Sequence, residues 1–268
     1  MASFPRPVVE AALRLLAGRL AVGKTAPDPA QLKQAILRSG VLTSGPAATG
    51  TVATDLRTGL LQLRSALLGF LGAEIAPVAA VTRRPPPPTR DSQPRGFRAE
   101  PASLPDTATP KEAGRTLLQQ TEAALSRIRL LQLASLPQDA ARAGAPSAAD
   151  WTLEVPMLLG NELAIAQLRI AGDGRHRTAK RDREWRLQFS VNFSILGEVG
   201  AQIGFRDRRT SIALWAEEPA TASALEALLP DLGTALADRG LEVGSLRVGR
   251  RSPATRQPRT GQLLDGVR

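Results

Sequence analysis

The sequence predicts an α+β protein, with a C-terminal mixed sheet of about five to six strands and one packed helix, preceded by a loosely organised helical, partly disordered N-terminal half. Three observations predict it. The spacing of apolar residues changes from about 3.6 residues to about 2 near position 150, the change from helix to strand. A single leucine-faced helical pattern, 219–239, interrupts the strand patterns that follow. The 23 glycines and 21 prolines cluster between the periodic stretches, so part of the 268-residue length is connection and not core.

In chain order, Val8, Val9, Ala12, Leu13, Leu16 and Leu20 recur at helical spacing and predict a helix that runs until Gly23. A second helix opens with Asp28 as N-cap and Pro29 in its first turn. It carries Leu32, Ala35 and Ile36 on its apolar face and stops at Gly40. Leu56, Leu60, Leu63, Leu67 and Phe70 alternate spacings of four and three, a seam that favours packing within the chain over a coiled coil, whose repeat is longer. From Arg83 to Pro110 periodicity vanishes, and Pro85, Pro86, Pro87 and Pro88 favour an extended polyproline conformation. A helix over 112–134 then places Leu117, Thr121, Ala124, Leu125, Ile128 and Leu131 on one face.

After a loop-like stretch over 136–150, Trp151, Leu153, Val155 and Met157 alternate with Thr152, Glu154 and Pro156. Pro156 cannot donate to a ladder, so this strand is expected at an edge or ending there. Ala164, Ala166, Leu168 and Ile170 predict a second strand, followed by a charged loop over 172–183. Trp185, Leu187, Phe189, Val191 and Phe193 point one way, while Arg186, Gln188, Ser190 and Asn192 point the other. Val199, Ala201, Ile203 and Phe205 form the next strand, and a polar turn at 206–209 leads to Ile212 and Leu214. Pro219 opens a helix whose core face is Leu225, Leu228, Leu229, Leu232 and Leu236, and Pro230 inside it predicts a kink or a split. Gly240 ends the helix. Leu241, Val243, Leu246 and Val248 form a last strand, with a bulge near Gly244 where the alternation slips. The expected organisation is a helical region at 1–75, a Pro-rich disordered linker at 76–110, an amphipathic helix at 111–135, a C-terminal domain at 148–249 and a basic disordered tail at 250–268.

Composition narrows the function classes. There is no cysteine, which removes disulfides and thiolate metal sites. The net charge of +10 raises nucleic acid or an anionic surface as a partner, but the basic residues concentrate in one loop (Arg175, Arg177, Lys180, Arg181, Arg183) and in the tail (Arg250, Arg251, Arg256, Arg259). Aromatics are 3% of the chain, so the stacking residues that usually line a single-strand groove are missing. The apolar run from Val8 to Val22 is broken by Glu10, Arg14 and Arg19, and neither a signal peptide nor a membrane span is expected.

Several segments together resemble the C-terminal domain of the flagellar hook-length control protein family. Trp151–Pro156 looks like the family's first strand, Trp185–Phe193 like its central strand, and Phe193-Ser-Ile-Leu-Gly-Glu-Val199 like its Leu-Pro-x-Leu-Gly-x-Val corner. Ala216-Glu-Glu-Pro219 precedes a leucine-rich helix, and Leu236-Ala-Asp-Arg-Gly-Leu-Glu-Val243 matches that helix's usual ending. Ser194 stands where the family commonly has proline, and the N-terminal portion is shorter than the family's long polar arm. The resemblance implies a hook-length control C-terminal domain at 148–249. This would act as a switch of type III export specificity by binding the cytoplasmic domain of the flagellar export gate, without bond-making chemistry. It further implies the hook and hook-cap proteins as partners and a cytoplasmic location, and leaves open export through the flagellar type III apparatus. Carried over position by position, Leu196 and Gly197 match the corner, and Gly240 and Leu241 the helix exit. These four are the candidate partner-binding residues, and each also has a plain structural role in turning or packing the chain. Two other readings stay open: a non-catalytic interaction protein with the same domain working outside hook-length control, and a nucleic-acid binder using the basic loop and tail.

Three features imitate chemistry. Gly18-Arg-Leu-Ala-Val-Gly23-Lys24-Thr25 fits the phosphate-loop pattern, but the preceding stretch is helical in period and Pro27 and Pro29 follow at once. His176 is the only histidine, placed in the charged loop without a partnered nucleophile. Glu217 and Glu218 precede Pro219, where carboxylates suit a helix N-terminus. No catalytic residue, cofactor or metal site is expected.

Overall fold

The computed structural model describes residues 4–23, 28–42, 55–72, 86–89, 92–98, 108–136, 150–172, 184–206 and 209–250. The basic loop with His176, Lys24 and Thr25, the centre of the 206–209 turn, most of 136–150, Pro85 and the tail beyond Arg250 lie outside these residues.

The N-terminal helices are α1 (Arg6–Ala17), α2 (Pro29–Leu37), α3 (Leu56–Leu71) and α4 (Pro110–Ala134). Asp28 and Asp55 cap α2 and α3 by accepting from the amides of Ala30 and Thr58. Thr109 and Glu112 form a reciprocal capping box on α4, which satisfies two otherwise orphaned amides. Helix α3 packs between α1 and α4, burying Leu63, Leu67 and Leu71 against Val8, Ala11 and Leu118. The leucine seam of α3 therefore packs within the chain. Farther along, Leu60 meets Leu125 and Ile128, and Arg64 pairs with Glu122 across α3 and α4.

The helix expected to reach Gly23 stops at Ala17. Gly18 closes it, and Leu20–Val22 form strand β1, parallel to Met157–Leu159. A three-residue strand has no period of its own, so Leu20 extended the helical pattern while belonging to the sheet.

Among the described residues the sheet has eight strands, more than the five to six expected, because β1 and β2 (Phe97–Arg98) come from the N-terminal half. The others are β3 (Asp150–Leu159), β4 (Glu162–Gly172), β5 (Glu184–Phe193), β6 (Gly197–Arg206), β7 (Arg209–Ala216) and β8 (Glu242–Gly249). Their order is β1-β3-β4-β5-β6-β7-β8, antiparallel except for the outer pairs β1/β3 and β7/β8, and β2 pairs with β4 off this path. Strand β1 flanks β3 only at Met157–Leu159, so among the described residues the stretch that holds Pro156 has no strand on its outer side, as expected of an edge. Pro156 lies just before that flanking pair begins. The amide of Thr152 points to the outer side, where it donates to Ser135 Oγ, so by strand alternation the Pro156 nitrogen faces outward too. No ladder bond to β4 is lost.

One face of the sheet is apolar, with Leu153, Val155, Ala164, Ala166, Leu168, Val191 and Phe193 at its centre. Leu20, Val41 and Leu131 close over it from the N-terminal half. At the far edge of the sheet α5 (Pro219–Ala227) packs on β7 and β8, and α6 (Leu229–Asp238) on β8. The helix is split as Pro230 requires, with Leu228 as the joint between its halves. The joint turns Leu228 outward, so it is exposed and leaves the core face to Leu225, Leu229, Leu232 and Leu236, which are half-buried. Gly244 is the extra residue where Thr210/Val243 pairing shifts to Ser211/Ser245.

Candidate partner-binding site

The corner between β5 and β6 is a three-residue turn, Ser194–Leu196, followed by Gly197 at φ 69°. Only glycine adopts that angle without strain, and a side chain at 197 would meet Glu218 Cγ at 2.9 Å. The turn is held from two sides. Glu162, at the start of β4, accepts the Ser194 amide at 2.6 Å and its hydroxyl at 2.7 Å. The Thr221 hydroxyl, in the first turn of α5, donates to the Leu196 carbonyl at 3.0 Å. The Glu217 amide donates to the Glu198 carbonyl at 2.9 Å, which fastens the start of α5 beside the corner. A proline at 194 would supply neither donor to Glu162; here hydrogen bonds do the work of a rigid ring.

These bonds hold the Glu162 carboxyl below the usual carboxylate range, the Ser194 hydroxyl contributing most and the Ser194 amide next. With the backbone so fixed, the side chains of the turn face outward. Ile195 is 86% exposed and Leu196 36%. Sequence reasoning passed over Ile195, because an apolar residue between two strands reads as core unless the turn is known to point it away.

Gly240 and Leu241 lie elsewhere. Gly240, at φ 73°, donates to the Ala237 carbonyl, and the Leu241 amide donates to Leu236. This is a Schellman ending, in which the glycine satisfies carbonyls that the last helical turn leaves open. Strand β8 runs parallel to β7, so the crossover through α5 and α6 must return to the strand start, where Glu242 faces Arg209. The corner adjoins the opposite end of β7, since Val199 faces Ala216. The four candidate residues thus form two pairs at opposite ends of β7, roughly 23 Å apart by strand rise.

Glu217 and Glu218 are exposed at the start of α5, and neither caps it through its side chain. Gly18 follows a helix and not a strand, which is not the setting of a phosphate loop. Among the described residues no group of acidic or histidine side chains could hold a metal ion, and no helix is long and apolar enough to cross a membrane.

Residues 174–257 match the family model for flagellar hook-length control protein FliK. The C-terminal part of the chain is therefore similar to that family. The matched stretch contains the corner, α5, α6 and the helix exit; Trp151–Pro156, with the rest of β3 and β4, lies before it. No curated protein and no solved structure matches the chain.

Proposed function

We propose, from the similarity of residues 174–257 to the hook-length control family, that this protein switches flagellar export specificity by binding the cytoplasmic domain of the export gate through the Ser194–Gly197 corner. One observation carries the docking surface: Ile195 stands almost fully in solvent beside Leu196, on a turn fixed by Glu162, Thr221 and the conformation of Gly197. A large apolar side chain exposed on a rigid turn loses little conformational freedom when it is buried by a partner, which suits a hot spot. Gly197 and Glu162 hold the turn, and Ile195 and Leu196 make the contact. Gly240 and Leu241 serve the same function from a distance by ending α6 cleanly. The protein works on the cytoplasmic side of the apparatus and makes or breaks no covalent bond.

Deletion of the gene in its own host tests the role. Overlong hooks and poor motility, restored by the natural gene but not by an Ile195→Asp copy, support it. Hooks of normal length in a deletion strain with no second copy would remove the hook-length role.

A further inference from the structure

Strands β4 and β5 pair only from Gln167/Ser190 to Gly172/Trp185. Toward the corner they part, leaving residues 162–166 of one wall and 191–193 of the other without a shared ladder. Strand β2 enters that gap, with Phe97 opposite Ile165 and Arg98 opposite Ala164. Four hydrogen bonds seat it: Arg95 N to Gln167 Oε1 at 2.9 Å, Gly96 N to Ser190 Oγ at 2.9 Å, Arg98 Nε to Asn192 Oδ1 at 3.0 Å, and Arg98 Nη2 to the Phe193 carbonyl at 3.4 Å. Gly96 lies so close to β5 that a Cβ there would be 2.3 Å from Val191 Cα and 2.5 Å from the Asn192 nitrogen. That gap is backbone against backbone, which no rotamer change relieves, so only glycine seats.

Both walls of the slot end at the docking turn. Phe193, whose carbonyl Arg98 holds, immediately precedes Ser194, and Glu162, which holds Ser194, begins the other wall. The segment is also fastened to α4. The Arg127 guanidinium of α4 lies 5.9 Å from the centre of the Phe97 ring, donates to the Pro86 carbonyl at 2.6 Å and pairs with Glu154 at 2.7 Å. A two-residue strand with an exposed arginine at its tip is the kind of element that opens locally while the sheet stays intact.

We propose that residues 95–98 are an intramolecular strap, by which the N-terminal region holds the Ser194–Gly197 corner, and that withdrawing the strap frees the corner to rearrange. The coupling is a property of this chain alone; its meaning for export rests on the corner being the docking surface.

Hydrogen exchange on the full-length chain tests the coupling without any partner. In the natural protein the Arg95 and Gly96 amides are protected. In Gly96→Ala, and separately in Arg98→Ala, that protection falls and the 193–197 segment exchanges about tenfold faster, while the amides of β7 and of β6 beyond Gly197 are unchanged. Corner exchange that stays constant although the strap amides have opened would overturn the proposal, as would strap amides that are unprotected in the natural protein. Should Gly96→Ala loosen β6 and β7 as well, Arg98→Ala decides, since its side chain is exposed and takes no part in the core. Loss of gate binding by itself would leave this result standing, and the converse also holds.

Discussion

Glu162 and Ser194 are joined by two hydrogen bonds, the carboxylate accepting both the amide and the hydroxyl of the serine. They tie the start of β4 to the turn after β5, thirty-two positions later. Because the pair holds the Glu162 carboxyl below its ordinary range, its contribution is present above the unfolded pKa and is lost as pH falls through the lowered folded value. The corner is accordingly pinned at neutral pH and loosens on acidification below the ordinary glutamate value of about 4.3. An NMR titration checks this: the Ser194 amide shift follows the Glu162 carboxyl in the natural protein and shows no such step in Glu162→Gln.

Gly200 and Trp215 are opposite one another on β6 and β7, and the indole lies across the glycine, where a Cβ would be 2.2 Å from Cζ2. Trp215 is buried. Gly200→Ala must push the ring or part the strands, an overpacking cost of about 1–3 kcal/mol. Urea unfolding measures it as a lower midpoint.

Gly240→Ala places a side chain at a positive φ in the Schellman ending, at a cost of about 1–2 kcal/mol. The substitution lies at the other end of β7 from the corner, so stability falls while affinity for the partner is retained. A titration beside a melting curve separates the two effects, and a loss of affinity at unchanged stability would make the helix exit a contact residue.

Leu67 is fully buried between α1 and α4. Leu67→Ala is expected to destabilise the N-terminal helices by about 2–5 kcal/mol, the range for an unrelaxed cavity of that size. Circular dichroism in urea reads the loss. An unchanged transition would mean that the three helices do not share a core.

Much of this architecture was legible along the chain. Alternation located β3 to β7, Pro230 located the split between α5 and α6, and the slipped period at Val243–Leu246 located the bulge at Gly244. Strands β1 and β2 were not legible, because two or three residues carry no period and become strand only by pairing with partners far along the chain. For the same reason the strap was invisible: Arg95 and Gly96 find Gln167 and Ser190 only once the sheet exists. The corner was readable as a turn from Leu196-Gly197, but the outward direction of Ile195 depends on bonds from Glu162 and Thr221. The separation of Gly240 from Gly197 follows from β8 being parallel to β7, which local pattern does not encode.

The central claim is that Ile195 and Leu196 form the surface that meets the export gate. The most direct test titrates the full-length chain against the cytoplasmic domain of the gate from the same organism, with Ile195→Asp as the variant and circular dichroism as the control for folding. The account predicts binding by the natural chain and a loss of about tenfold or more in affinity for a variant that remains folded, the scale of a hot-spot truncation of roughly 1.4 kcal/mol or more. Equal affinity of the two folded proteins would contradict it and move the contact away from the corner.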